Sequence, residues 1–129
     1  GHPDEIKMVQ KLCTPHNTNA FAMLVAQKIL ETPGILSSLI EDYTLGRDYL
    51  IKELNSHKYL HKGDAGNFIF IKPKTNALTI VEKMKSQKQI LIKSYSNVGN
   101  FGTCLRVTIG AKQYMERFLD ALFELDNTN

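Results

Sequence analysis

Apolar residues recur with helical spacing through the first part of the chain. Between residues 4 and 13 they lie about three positions apart, and between residues 19 and 31 the sequence is almost wholly apolar. This pattern predicts a short helix followed by a buried one. Because the intervening segment contains a proline and polar residues, we expect Asn17 or Thr18 to cap the second helix.

A longer amphipathic pattern follows. Thr32 and Pro33 resemble an N-cap followed by proline at the first helical position. Behind them apolar residues recur near a period of 3.6, which predicts a helix to about residue 55. Gly46 lies inside this helix at a cost of about 1 kcal/mol relative to alanine, and Arg47 lies on its flank.

The second half of the chain combines strand and helix patterns. We predict strands at 58–61, 67–73, 89–94 and 104–110, and helices at 75–86 and 112–125. Helices followed by gathered strands are typical of an α+β domain. The expected fold is therefore a small, mostly antiparallel sheet of three or four strands, with helices packed on one face and a long helix in front.

Side-chain alternation assigns the faces of these elements. In the last strand, Leu105, Val107 and Ile109 should point to one face, and Arg106 and Thr108 to the other. In the two helices the residues expected to point inward are Leu78, Val81 and Met84 in the first, and Met115, Phe118, Leu119, Leu122 and Leu125 in the second.

The composition is that of one globular domain. The length of 129 residues fits one domain, and 43% apolar with 22% charged residues excludes the disordered and fibrous classes. The net charge of +3 comes from scattered lysines, so a nucleic-acid partner is not expected. No apolar run approaches the ~20 residues that span a bilayer, so no membrane partner is expected either. Cys13 and Cys104 are expected to be reduced, in a cytoplasmic protein.

Few residues have the spacing that catalysis requires. His57 and His61 lie four apart, but no carboxylate or thiol completes a metal site, so no metal is expected. Arg106 stands out because it interrupts an apolar strand, and its planar fork of donors suits bidentate binding of a carboxylate. The spacing alone also allows an outward-facing arginine on an open sheet face.

Several segments resemble the class I/II (fold type I) aminotransferases, in the histidinol-phosphate aminotransferase-like branch. The strand LRVTIG and the helix after it resemble the C-terminal end of these enzymes, and the other segments follow in the family's order. They are PHNTNAFA at 15–22, Arg47 with Leu50 and Leu54, GNFIFIK at 66–72 and QILIKSY at 89–95. The resemblance implies that the chain is the C-terminal small domain of such an enzyme.

In this family the arginine of the LRVTIG strand binds the α-carboxylate of the amino-acid substrate, so the resemblance implies that role for Arg106. Asn17 and Lys93 are weaker candidates for substrate binding. Asn17 would lie near the substrate entrance, where it could equally be a helix cap. Lys93 replaces an arginine that relatives commonly carry, which weakens the case for a phosphorylated substrate. The family's Thr-Pro after the strand glycine is here Ala111-Lys112.

The resemblance also implies pyridoxal phosphate as cofactor, an amino acid and a 2-oxo acid as substrates, and a homodimer, all in a longer parent protein. The cofactor lysine belongs to the family's large domain, so this chain alone is expected to bind no cofactor and to be inactive. A free-standing α+β ligand-sensing or protein-interaction domain, and part of a pyridoxal-phosphate decarboxylase of the same fold, are the alternatives.

We divide the chain accordingly. Residues 1–3 resemble the remnant of a cleaved tag or a linker, and 4–56 form a helical segment that bridges to a large domain. Residues 57–125 form the small domain, and 126–129 form a tail.

Overall fold

The computed structural model describes residues 1–12, 19–63 and 65–127. The chain divides into two compact units, Gly1–Ser38 and Leu39–Asn129. The fold class is the predicted one: an α+β arrangement with a four-stranded antiparallel sheet and five α-helices among the described residues. The boundaries proposed for the bridging segment and the small domain stay a prediction.

Within the described residues of the first unit lie two helices, α1 (Pro3–Gln10) and α2 (Ala20–Glu31). The N-cap of α2 is Asn19, whose side-chain oxygen accepts hydrogen bonds from the backbone N–H groups of Phe21 and Ala22. The predicted caps Asn17 and Thr18 lie outside the described residues. Neither helix has a buried residue, so the prediction of burial for α2 is wrong for this chain.

The third helix, α3 (Ile35–Ser56), begins later than predicted. Thr32 is the C-cap of α2 rather than an N-cap, and its hydroxyl donates to the carbonyl of Lys28 at 2.6 Å. Gly34 has a φ of 87°, a left-handed conformation that a helix cannot continue through. Pro33 therefore does not start the helix.

Four strands form one sheet in the order β1-β2-β4-β3, with every neighbouring pair antiparallel. They are β1 (His61–Lys62), β2 (Phe68–Ile71), β3 (Lys93–Tyr95) and β4 (Cys104–Thr108). All four strands are shorter than predicted, and β1 and β3 also lie further along the chain than expected. Lys58 and Gln89 both have positive φ, which interrupts the extended backbone expected there.

The remaining helices, α4 (Ala77–Lys88) and α5 (Lys112–Asp126), pack with the sheet around one core. All five inward positions predicted for α5 are buried. In α4, Met84 is buried and Val81 is partly buried, but Leu78 is 62% exposed, and Ala77 and Ile80 face the core instead. The α4 prediction was therefore wrong at Leu78, because the helix is rotated relative to the predicted face.

The end of α5 is tied into the domain. Asp126, assigned to the tail from the sequence, is the last residue of α5 and only 3% exposed. Its carboxylate accepts hydrogen bonds from the backbone N–H groups of Lys74 and Thr75, both at 2.8 Å, and from the Thr75 hydroxyl at 2.6 Å. These bonds compensate for the burial of a charge, so the predicted tail does not include Asp126.

Candidate functional site

The two faces of the β2–β4 pair differ in chemistry. Ile69 and Ile71 of β2, with Leu105 and Val107 of β4, are buried in the core. The opposite face carries the polar and aromatic residues of the same strands, which are half-buried or exposed: Phe68, Phe70, Arg106 and Thr108. The alternation predicted for β4 is confirmed, and it leaves Arg106 on the face away from the core.

Arg106 lies in the middle of this face. Its Cα is paired with Phe70 of β2 on one side and with Lys93 of β3 on the other. The guanidinium carbon lies 4.2 Å from the centre of the Phe68 ring, within the range of a cation–π contact. Its Nε is buried and has no hydrogen-bond partner. Among the described residues, none forms a salt bridge or hydrogen bond with the Arg106 side chain.

Lys93 lies beside Arg106. A pocket of about 360 Å³ is lined by both side chains together with Leu91, Ile92 and Thr108. Lys93 is exposed, and in the part of the chain that the structure describes it too forms no ion pair. The structure therefore brings two of the three candidate residues together and gives the pocket two positive charges. Asn17 lies outside the described residues.

A second arginine has a different role. Arg47 of α3 donates from Nη2 to the carbonyl of Gly63 at 2.6 Å and from Nη1 to the Tyr43 hydroxyl at 3.3 Å. That hydroxyl donates to the carbonyl of Gly66 at 2.6 Å. These bonds hold the loop that leads into β2, and thus the strand that carries Phe68. The spacing of Tyr43 and Arg47, one helical turn apart, is the only sequence signal for this role.

The two central histidines serve structural contacts. The ring of His57 stacks on Phe123 with 3.9 Å between centroids, and His61 Nε2 lies 3.0 Å from the side-chain oxygen of Asn55. Among the described residues no group of three or more histidine, cysteine, aspartate or glutamate side chains could hold a metal ion. Over the same residues, no helix is long and apolar enough to cross a membrane.

This fold is an α+β domain of the aminotransferase type. A crystal structure from Erwinia carotovora atroseptica, described provisionally as a histidinol-phosphate aminotransferase, superimposes on 77% of this chain with a TM-score of 0.64. The chain covers 28% of that structure, and the sequence identity of 20% supports the fold alone. No family model matches the chain.

Comparison of sequences identifies which aminotransferases the chain resembles. The chain is 32% identical to histidinol-phosphate aminotransferase 2 of Nitrosococcus oceani over 125 residues, which are 95% of this chain and 34% of the relative. The corresponding enzyme of Moorella thermoacetica is 26% identical, over 95% of this chain and 31% of the relative. These homologues are histidinol-phosphate aminotransferases, so the resemblance inferred from the sequence is confirmed. The chain spans about a third of the length of these relatives.

Proposed function

We propose that this chain is the substrate-anchoring part of a pyridoxal-phosphate-dependent aminotransferase, and that Arg106 binds the carboxylate of the amino acid and of the 2-oxo acid. The observation that carries the proposal is the Arg106 side chain itself. Arg106 lies in strand β4, and its side chain lines a pocket. Among the described residues it has no acidic partner. A guanidinium with free donors is suited to bidentate binding of a planar carboxylate.

The buried Nε restricts how such an anion can bind. Because Nε is shielded from solvent, an incoming carboxylate can contact only the two terminal nitrogens of Arg106. Every amino acid and 2-oxo acid in a transamination keeps its carboxylate, so one fixed fork serves both half-reactions. Holding the carboxylate also fixes the orientation of the substrate, which is the main contribution a binding residue makes to rate.

Lys93 adds a second positive charge to the pocket. Histidinol phosphate, which appears in the names of the relatives, carries a phosphate and no carboxylate. A lysine offers that group a point charge, whereas an arginine would offer a fork. We propose that Lys93 attracts either anion without fixing its orientation, and that Arg106 fixes it.

Pyridoxal phosphate is proposed to bind to the longer protein through residues that this chain does not contain. A lysine that binds the cofactor covalently needs its amino group uncharged, and burial is a common cause of that state. None of the thirteen lysines is buried in the structure. We therefore propose that the cofactor is bound by residues outside this chain, that the chain alone is inactive, and that the longer protein is a homodimer as its family implies.

The first test compares three variants in the longer protein: Arg106→Ala, Arg106→Lys and Lys93→Ala. Losing the fork should raise the KM for the amino acid about 10- to 100-fold, as expected for charge-assisted hydrogen bonds of about 1.5–3 kcal/mol. Arg106→Lys should recover only part of this loss. Lys93→Ala should change KM less. An unchanged KM in Arg106→Ala would overturn the assignment.

The second test concerns the cofactor. The isolated chain is mixed with pyridoxal phosphate, reduced with borohydride and analysed by mass spectrometry. We expect only sparse, scattered labelling of exposed lysines. A stoichiometric adduct at a single lysine would contradict the proposal that the cofactor is bound elsewhere.

A further inference from the structure

The Phe68 ring is the neighbour that restrains the guanidinium of Arg106. The two residues are not directly paired: Phe68 faces Thr108 in the register of β2 and β4, and Phe70 faces Arg106. Diagonal neighbours in an antiparallel pair are still within reach of long and aromatic side chains. Here the guanidinium carbon is 4.2 Å from the ring centre.

An aromatic neighbour has an advantage over an acidic one at this position. A carboxylate beside Arg106 would hold it firmly, but it would occupy the donors and compete with the incoming anion. A ring face attracts the cation through its quadrupole and uses none of the N–H groups. The guanidinium is thus held while its terminal nitrogens and its charge stay available.

The Phe68 ring is itself held in place. Its centroid is 5.4 Å from that of Phe70 in an edge-to-face arrangement, which is a favourable geometry for aromatic pairs. Phe70 in turn meets Tyr95 of β3 edge to face at 6.0 Å. At the other end, the loop that leads into β2 is bonded to Arg47 through the carbonyl of Gly63. A fixed ring limits the orientations open to the flexible arginine.

We propose that Phe68 is a positioning residue: it holds the Arg106 guanidinium in the orientation that receives the substrate anion. The inference rests on the proposed function of Arg106 and extends it to a residue that does not touch the anion. A positioning role differs from a purely structural one because it acts on the side chain of Arg106 and leaves the fold unchanged.

The test uses the Nε–H resonance of Arg106 in nitrogen-15 NMR spectra of this chain. In the wild type this proton should be shifted upfield by the ring and should exchange slowly with solvent, since it is buried. Phe68→Leu should abolish the upfield shift and accelerate exchange at least several-fold, and Phe68→Tyr should preserve both. Tyr114→Leu, which removes an exposed aromatic ring from α5, is the matched control and should resemble the wild type.

Anion binding is then measured by titrating each variant with pyruvate and, separately, with inorganic phosphate. Phe68→Leu should weaken binding about tenfold, a change that corresponds to about 1.4 kcal/mol and lies within the range of cation–π energies. Backbone spectra verify that each variant is folded. If Phe68→Leu does not fold, the wild-type shift and the behaviour of Phe68→Tyr still decide the question.

These measurements distinguish a failure of the positioning role of Phe68 from a failure of the proposed function of Arg106. If the Arg106 proton shows no ring shift in the wild type, or is unchanged in folded Phe68→Leu, the positioning role of Phe68 is refuted whatever binds. If the proton behaves as expected but Arg106→Ala binds pyruvate and phosphate as well as the wild type does, the proposed function of Arg106 fails.

Discussion

The carbonyl oxygen of Gly110, two residues beyond the end of β4, lies directly against the α-carbon of Gly46 in the middle of α3. A β-carbon at position 46 would overlap this oxygen and come into tight contact with Ala111. The clash would be with backbone, which cannot rotate away. Glycine at position 46, which weakens an isolated helix, is therefore required by the approach of α3 to the β4–α5 connection.

This contact predicts the effect of Gly46→Ala. In an exposed helix the change would stabilise by about 1 kcal/mol, but here overpacking should reverse the sign and cost about 1–3 kcal/mol. Urea unfolding followed by circular dichroism measures the difference. Asp48→Ala, at an exposed position of the same helix, is the control and should change stability little. A stabilised Gly46→Ala variant would show that α3 and Gly110 are not packed this closely.

The bonds from α3 to the loop before β2 predict a local effect. Arg47→Ala removes the donor to Gly63 and leaves its carbonyl without that partner, so we expect a loss of about 1–3 kcal/mol. Amide hydrogen exchange should accelerate mainly at residues 65–67, and Tyr43→Phe should produce a smaller effect at Gly66. Uniform acceleration throughout the domain would instead indicate global destabilisation.

The buried carboxylate of Asp126 predicts a dependence of stability on pH. Burial is the largest single influence and raises the pKa of Asp126, but the hydrogen bonds from Thr75 and Lys74 oppose it, and the pKa is lowered from 3.8. A group with a lowered folded pKa contributes stability above its unfolded pKa and loses it as pH falls through the folded value. The free energy of unfolding should therefore fall as the pH drops below about 4.

Asp126→Asn isolates this contribution. At neutral pH the variant should be less stable by about 1.5–3 kcal/mol, as expected for lost hydrogen bonds to a charged group. Below pH 4 the difference from the wild type should narrow, because the wild-type carboxylate becomes protonated. Unfolding curves at a series of pH values measure both quantities. A difference that stays constant through the acidic range would contradict the lowered pKa.

The apolar side chains of α2 predict self-association of this chain. Phe21 is 75% exposed and Leu24 is 65% exposed in a helix without a buried residue. Exposed apolar surface of this kind favours association. Sedimentation velocity should show larger species as concentration rises, and Phe21→Ser with Leu24→Ser should reduce them. Gln27→Ser with Glu31→Ser, on the same helix, is the control pair. A wild-type chain that stays monomeric at high concentration would refute this prediction.

Much of the second unit could be predicted from its sequence because its local signals agree with its packing. The alternation in β4 correctly placed Arg106 on the face of the sheet opposite to that of Leu105 and Val107. The apolar spacing of α5 correctly identified the buried face of that helix. The N-cap of α4 is Asn76, a residue type that favours this position because its side-chain oxygen accepts hydrogen bonds from the first free N–H groups of a helix.

Other features depend on contacts between distant positions, which periodicity does not encode. Asp126 lies near the end of the sequence, where fraying is the usual expectation, but Lys74 and Thr75 bind it from more than fifty residues away. The apolar run of α2 predicted burial because its composition suits a core. In the part of the chain that the structure describes, α2 has no buried residue. Composition alone does not show which surface, if any, covers a helix. The Phe68–Arg106 contact required the strand register, which the sequence left open.

The separation of core residues from outer residues on the two faces of the β2–β4 pair has a consequence for sequence change. Ile69 and Leu105 are buried in the core, so their replacement should cost stability, whereas Phe68, Lys93 and Arg106 lie on the face away from the core. In each strand, buried core positions alternate with positions on the outer face. Under the proposed function of Arg106, single substitutions on the outer side would change what the face recognises at little cost to folding.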